Sequence, residues 1–342
     1  MSLLMLQDLS VSIGNVPVLR EVSFKIGRGE RVGMIGESGC GKSLSVLAMM
    51  GLLPEGAVAT GRMVFEGQNL LDLSELEWCR IRGARISVIV QEPMTALSPL
   101  MRVGDQIAES VRVHDRNASR KAARGRAVDL LGRMDFAEPE RTARAYPHQL
   151  SGGQRQRVMI AMAIACGPAL ILADEPTTAL DVTVQARMLE LLVRVVEEGG
   201  SSLLLVSHDI AVVGSVCARL IVLYGGCVVE EGPCDVVLSQ PLHPYTAGLV
   251  ATSAALSAEG DATDRVRPEL PMIPGSVPSI GAFPPGCPFR DRCRNESERC
   301  GERPPLSGGE HAVACWHPET EYHVTEFPGV VEPSKHGRIG AR

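Results

Sequence analysis

The chain has 342 residues, 45% of them hydrophobic but only 4% aromatic, and a formal charge of −6 from 34 Lys+Arg against 40 Asp+Glu. That length holds one large domain and a smaller one. The acidic balance argues against a general nucleic-acid binder, and the aliphatic composition suits a parallel sheet covered by helices better than an aromatic-cornered sandwich.

The first residues, MSLLMLQDLSVSI, lack a basic region and carry Asp8 inside their apolar stretch, so they do not read as a secretion signal. Short strand patterns follow at LQDLSVSI, REVSFKI and RVGMIG. A helix is expected from the glycine-rich segment at 36–43 to about Leu53, where Pro54 stops it. GRMVFEG and RISVIV read as further strands, and the pattern turns helical from about Glu92 to Tyr146. The longest apolar run, 158–173, is broken by Gly167-Pro168 and ends at Asp174. It reads as a buried helix followed by a strand rather than a membrane span, so the expected location is cytoplasmic. Strands return at 169–173, 202–207 and 219–224, with a helix over 183–197. Alternating strands and helices imply a parallel sheet interrupted by a helical insertion. After about Gln240, 14 of the 23 prolines fall between Pro241 and Pro333, which predicts a tail with no regular bundle or sheet.

GESGCGKS at 36–43 satisfies G-x-x-x-x-G-K-[ST] between an apolar strand and a helix. Gly36, Gly39 and Gly41 let successive backbone N–H groups turn inward around phosphate oxygens, with Ser38, Cys40 and Leu44 on the same loop and helix start. Lys42 belongs on the β- and γ-phosphates and Ser43 on Mg²⁺. ALILADEP delivers Asp174 to the sheet end that holds this loop, as an Mg²⁺ carboxylate, with Glu175 next to it as the base that polarises water. Two acids ending a buried strand require partners. His208, ending LLLVSH, is expected on the γ-phosphate, and Gln91, ending ISVIVQ, near Mg²⁺ and the attacking water.

LSGGQRQR at 150–157 is a second segment suited to phosphate. Phosphate loop, Gln91, LSGGQ, DEP, ALD and His208, in that order, resemble the ATP-binding cassette ATPases over about residues 3–235. The resemblance implies an α/β P-loop fold with a RecA-like parallel sheet, an antiparallel β subdomain and a helical insertion. The ATP-binding domain then spans 1–240, with the helical subdomain at about 92–158. It also implies that two cassettes pair head to tail, so that Ser151, Gly152, Gly153 and Gln154 touch ATP held by a partner, and that Asp181 links the two sites. QEPMTALSP, RQRVMIAMA, PLHPYTAGL and the Pro/Cys-rich ending are similar to the D-type ATPase subunits of bacterial dipeptide, oligopeptide and nickel importers, over about residues 3–320. From this follow a second, F-type ATPase subunit, two transmembrane permease subunits, an external solute-binding protein and a site at the cytoplasmic face of the membrane. No nucleic-acid partner is implied. A soluble, non-transport ABC ATPase is the rival from another class, and nickel or another solute the rival within the class.

Two departures from the family pattern stand out. The family stacks adenine on an aromatic near position 13, where this chain has Ile13. Aliphatic contacts from Ile13 and Val18 are expected instead. Ser98 stands where the peptide-importer pattern has Asn. Cys40, beside Lys42 and a helix start, is either a thiol of lowered pKa, open to alkylation, or a small residue that merely fits. Cys287, Cys293, Cys300 and Cys315 are spaced C-x₅-C-x₆-C-x₁₄-C in a 241–342 extension too proline-rich to bury much apolar surface. The gaps are loose for zinc and are not those of a ferredoxin. The resemblance implies a [4Fe–4S] cluster here, with zinc or unliganded thiols as the alternatives, in a structural role.

Overall fold

The computed structural model describes residues 2–177, 181–258 and 272–320. Two long strands, β1 (Ser2–Ile13) and β2 (Val16–Gly27), form an antiparallel pair around a turn at Gly14-Asn15. β3 (Arg31–Ile35) leads into the phosphate loop and helix α1 (Lys42–Met49). β4 (Ala57–Phe65) and β5 (Gln68–Asn69) complete a four-stranded antiparallel sheet in the order β2-β1-β4-β5. Helix α2 (Glu75–Ile81) precedes β6 (Ile86–Ile89), and α3 (Pro93–Ala96), α4 (Val103–His114), α5 (Arg120–Arg133) and α6 (Pro139–Arg144) make the helical insertion. The chain then alternates through α7 (Gly152–Ala163), β7 (Leu170–Asp174), α8 (Val182–Gly199), β8 (Ser202–Ser207), α9 (Ile210–Val216) and β9 (Arg219–Tyr224). β10 (Cys227–Pro233), α10 (Cys234–Ser239), α11 (Pro244–Ala258) and β11 (Ala312–Val313) follow.

The central sheet has the order β11-β10-β9-β3-β8-β7-β6. β6, β7, β8, β3 and β9 run parallel, and β10 and β11 add antiparallel at the edge. Side chains alternate across the sheet, and both faces are covered. Leu170, Leu172, Leu204 and Val206 pack toward α1 and the antiparallel sheet, while Ile171, Ala173, Leu203 and Leu205 pack toward α8 and α9. All eight are fully buried, which is why these strands read as unbroken apolar runs. Gly33 on β3 faces Val213 of α9 so closely that a Cβ there would collide with it.

Two expectations need correction. Helix α1 ends four residues before Leu53, at Met49, because Gly51 takes a left-handed φ of 61°. Leu52 N–H then reaches the Leu47 carbonyl (2.9 Å) and Gly51 N–H that of Ala48 (3.0 Å), closing the helix before Pro54 is reached. The tail is not free of regular structure. Pro244 sits at the first position of α11, where its missing N–H costs nothing, and the helix runs 15 residues. β11 joins the central sheet, Glu230 opposite Val313 and Glu231 opposite Ala312.

Candidate active site

β3, β8, β7 and β6 end at one edge of the sheet, and this edge gathers the site. After β3 the loop turns through Gly36, where a Cβ would run into the Leu223 carbonyl and the Cys40 sulfur, and through Gly41, at φ 101° against Leu19. Lys42 is buried, and its Nζ donates to the carbonyls of Gly36 (2.6 Å) and Glu37 (3.2 Å), so the ammonium lies across the mouth of the loop. The N-terminal N–H groups of α1 point the same way.

Asp174, at the end of β7, is hydrogen-bonded to Ser43. Burial pushes its carboxyl above the ordinary range, opposed by Ser43 and Lys42, and the neighbouring Glu175 adds to the rise. Its Oδ1 is buried without a hydrogen-bond partner among the described residues. An orphaned carboxylate oxygen beside a serine hydroxyl is an oxygen donor set suited to Mg²⁺, so these residues fit the ion that the phosphate loop implies. Glu175 occupies a left-handed φ of 48°, with its N–H on the Val206 carbonyl (2.9 Å). Its carboxylate is met on both sides: Gln91 Nε2 donates to Oε2 (3.1 Å), and His208 Nδ1 lies 3.3 Å from Oε1. The four strand ends therefore bring Lys42, Ser43, Asp174, Glu175, Gln91 and His208 together.

Beside them lies a cleft of about 460 Å³ lined by Ser38, Gly39, Gly41, Lys42, Ser43, Leu44, Gln91, Glu175 and His208. Ile13, Val18 and Ile280 line it as well. Ile13 is 40% exposed there, in line with an aliphatic wall. Ile280, 51% exposed, comes from the extension and was not anticipated, because nothing in its local sequence marks it. Gly36 opens instead on a neighbouring cavity with Glu37, Ser38 and His208.

LSGGQ sits elsewhere. Ser151 caps α7, its Oγ accepting the Gln154 N–H (3.3 Å), while Gln154 Oε1 accepts the Ser151 N–H (2.9 Å). Serine and glutamine three apart thus form a reciprocal capping box that holds the helix start. Asp181 caps α8 through the Val184 N–H (2.9 Å). Ser151, Gly152, Gly153, Gln154 and Asp181 line a surface pocket of about 600 Å³ with Asp135 and Arg157. It shares no lining residue with the phosphate-loop cleft.

The reactive reading of Cys40 is corrected: the thiol is 1% exposed, and burial pushes it up despite the pull of Lys42. Cys287, Cys293, Cys300 and Cys315 do converge, with the Cys287 N–H on the Cys300 carbonyl (3.0 Å) and each of the Cys287, Cys293 and Cys315 thiols raised by burial first and then by neighbouring cysteines of the group. Among the described residues, however, no three His, Cys, Asp or Glu side chains are arranged to hold a metal ion. This arrangement lends no support to the [4Fe–4S] or zinc site that the resemblance implied. No helix among the described residues is long and apolar enough to cross a membrane.

The comparisons agree with this geometry. Residues 19–178 match the ABC transporter family, and residues 229–300 match the oligopeptide/dipeptide transporter C-terminal region. The chain is 44% identical to a probable peptide ABC transporter ATP-binding protein of Sinorhizobium fredii, across 86% of this chain and 88% of the relative. It is also 44% identical to a probable D,D-dipeptide transport ATP-binding protein of Escherichia coli, across 90% and 93%. Among solved structures it resembles the dimeric cassette MJ0796 in a post-hydrolysis state bound to ADP and Pi, with a TM-score of 0.60 and 32% identity over 68% of this chain and 98% of that one. The chain belongs to the ABC transporter ATPases, among the peptide-transporter ATP-binding proteins that carry the oligopeptide/dipeptide C-terminal region.

Proposed function

We propose that this chain powers the import of dipeptides or oligopeptides by hydrolysing MgATP enclosed between its own phosphate loop and the LSGGQ segment of a second cassette. The observation that carries the reading is the separation of the two phosphate-facing segments. Each chain offers one cleft and one helix start, and these share no lining residue. A second cassette completes the cage, with Ser151, Gly152, Gly153 and Gln154 facing the partner's ATP and Asp181 beside them at the seam.

In the chain's own cleft, Lys42 exchanges its carbonyl partners for phosphate oxygens, and the α1 N-terminus adds positive potential. Ser43 and Asp174 hold Mg²⁺, which neutralises phosphate charge when bound. Glu175 accepts the proton of the attacking water, Gln91 and His208 orient its carboxylate, and His208 also reaches the γ-phosphate. Gly36, Ser38, Gly39, Cys40, Gly41 and Leu44 shape the cradle, and Ile13 lies against the adenine. The partners are a second ATPase subunit, which we take to be a distinct F-type chain, two permease subunits and an external solute-binding protein. The site of action is the cytoplasmic face of the membrane. The helical insertion and residues 92–100, which include the 87% exposed Leu100, form the docking surface for the permeases. The four-cysteine group is given no step in turnover; iron and zinc analysis of anaerobically purified protein tests whether it holds a metal.

Ser151→Arg tests the in-trans arrangement. The variant chain should keep its own ATP affinity, yet the reconstituted complex should lose hydrolysis at the partner's site by about a hundredfold, as for loss of a transition-state donor. Unchanged turnover of the complex overturns the arrangement.

A further inference from the structure

We propose that Arg292 of the C-terminal extension, together with Tyr245, is a positioning residue for the phosphate loop. The pair holds Glu37 in place and neutralises it, and thereby sets the chain's affinity for MgATP. The proposal rests on the ATPase reading above and adds a residue pair that no loop motif contains.

Glu37 lies inside the loop, between Gly36 and Ser38. A carboxylate there faces the wrong way electrostatically, because the loop receives a polyanion. Arg292 answers that charge with a two-pronged contact, Nη1 to Glu37 Oε2 at 2.7 Å and Nη2 to Oε1 at 3.2 Å. The guanidinium is itself fixed. Only 6% of the side chain is exposed; Nε donates to the Pro274 carbonyl (2.7 Å), and Nη1 also to Tyr224 Oη (3.2 Å). It lies against the rings of Tyr224 and Phe289, at 5.7 and 5.8 Å from their centroids. The Glu37 backbone is tied as well, its N–H donating to Tyr245 Oη at 2.7 Å. Tyr245 is fully buried on α11, its own N–H on His243 Nδ1 (3.0 Å).

Both anchors come from the extension, so two independent segments of it converge on one loop residue. A glycine-rich loop is costly in conformational entropy to hold ready. A tie to its side chain and a second to its backbone remove much of that freedom before ATP arrives. Loss of Arg292 would free the loop and leave an uncompensated carboxylate facing the phosphates.

The test is equilibrium binding of ATP to the full chain, measured by displacement of a fluorescent trinitrophenyl-ATP probe. Arg292→Gln should raise the MgATP Kd about tenfold, equivalent to about 1.4 kcal/mol, and Tyr245→Phe about threefold. The double variant Arg292→Gln/Glu37→Gln removes both charges and should recover to within about threefold of the wild-type Kd. A purely architectural Arg292 gives no such rescue. A folded Arg292→Gln protein with an unchanged Kd overturns the clamp, as does a double variant no better than the single. Should Arg292→Gln fail to fold, Tyr245→Phe decides: an unchanged Kd overturns the clamp, and a raised one supports it. Lys42→Ala serves as the control. If it binds ATP as tightly as wild type, the ATPase reading itself falls, and the clamp with it.

Discussion

Acid should loosen the extension through one buried ring. His243 is 1% exposed, its Nδ1 accepts the Tyr245 N–H at 3.0 Å, and its Nε2 has no hydrogen-bond partner among the described residues. Protonating Nδ1 would set two donors against each other in a site without water access. Burial holds the His243 pKa down at about 4, against the opposing pull of Glu230, whereas an unfolded histidine titrates near 6.5. Below about pH 6.5 the unfolded chain therefore takes up a proton that the folded chain refuses. The stability contributed by neutral His243 is complete above about pH 6.5 and is lost as the pH falls toward 4, a total of about 3 kcal/mol. The assay is urea unfolding followed by tryptophan fluorescence across this window, Trp316 lying in the extension. His243→Asn is the comparison, since its Oδ1 offers the Tyr245 N–H an acceptor that does not titrate. Wild type should lose stability more steeply than His243→Asn between about pH 6.5 and pH 4. Identical slopes would refute the assignment to His243.

Two further outcomes follow from the site and its scaffold. Glu175→Gln should bind ATP yet hydrolyse it about a thousandfold more slowly, accumulating an ATP-bound pair visible by size-exclusion chromatography; wild-type turnover would remove Glu175 as the base. Gly226→Ala forces a Cβ into the Val18 carbonyl at a φ of 76°, so the melting temperature should fall by an amount equivalent to about 2 kcal/mol, and an unchanged melting curve would show that the loop yields freely.

The parts of this protein that were legible from its sequence are those whose chemistry is local. The phosphate loop needs glycines at fixed intervals before a Lys-Ser pair. The acid pair needs an apolar strand immediately before it. Both are short-range, and both were found where the spacing put them. Gly51 was overlooked because Pro54 is the louder stop signal, although a left-handed residue after the last helical turn ends a helix earlier. β11 carries no periodicity in two residues; it is a strand only because β10 offers an open edge. Of the two readings left open for Cys40, the reactive one fails because the local positive charge is visible in sequence and the burial that outweighs it is not. HPYT was recognised only as a likeness. Its physical content is the Leu242 and His243 N–H groups on the fully buried Glu230, which His311 also meets, and the Tyr245 hydroxyl on the loop. Arg292 and Glu37 stand 255 residues apart, and no window along the chain connects them.

The two phosphate-facing halves divide the work in a way that kinetics can separate. Moving a pair of cassettes from one per cent to ninety-nine per cent closed takes about 5.5 kcal/mol of differential binding, and a contact made equally in open and closed pairs contributes none of it. Arg292 acts on its own chain's loop in both states. It strengthens ATP binding uniformly and belongs in KM. On the proposed in-trans arrangement Ser151 would meet ATP only across the closed seam, so its contribution would belong to closure and to kcat. If both proposals hold, the extension tunes how readily a chain loads ATP, while LSGGQ determines whether loading does work. A complex carrying Arg292→Gln should recover its turnover at saturating ATP, and one carrying Ser151→Arg should not.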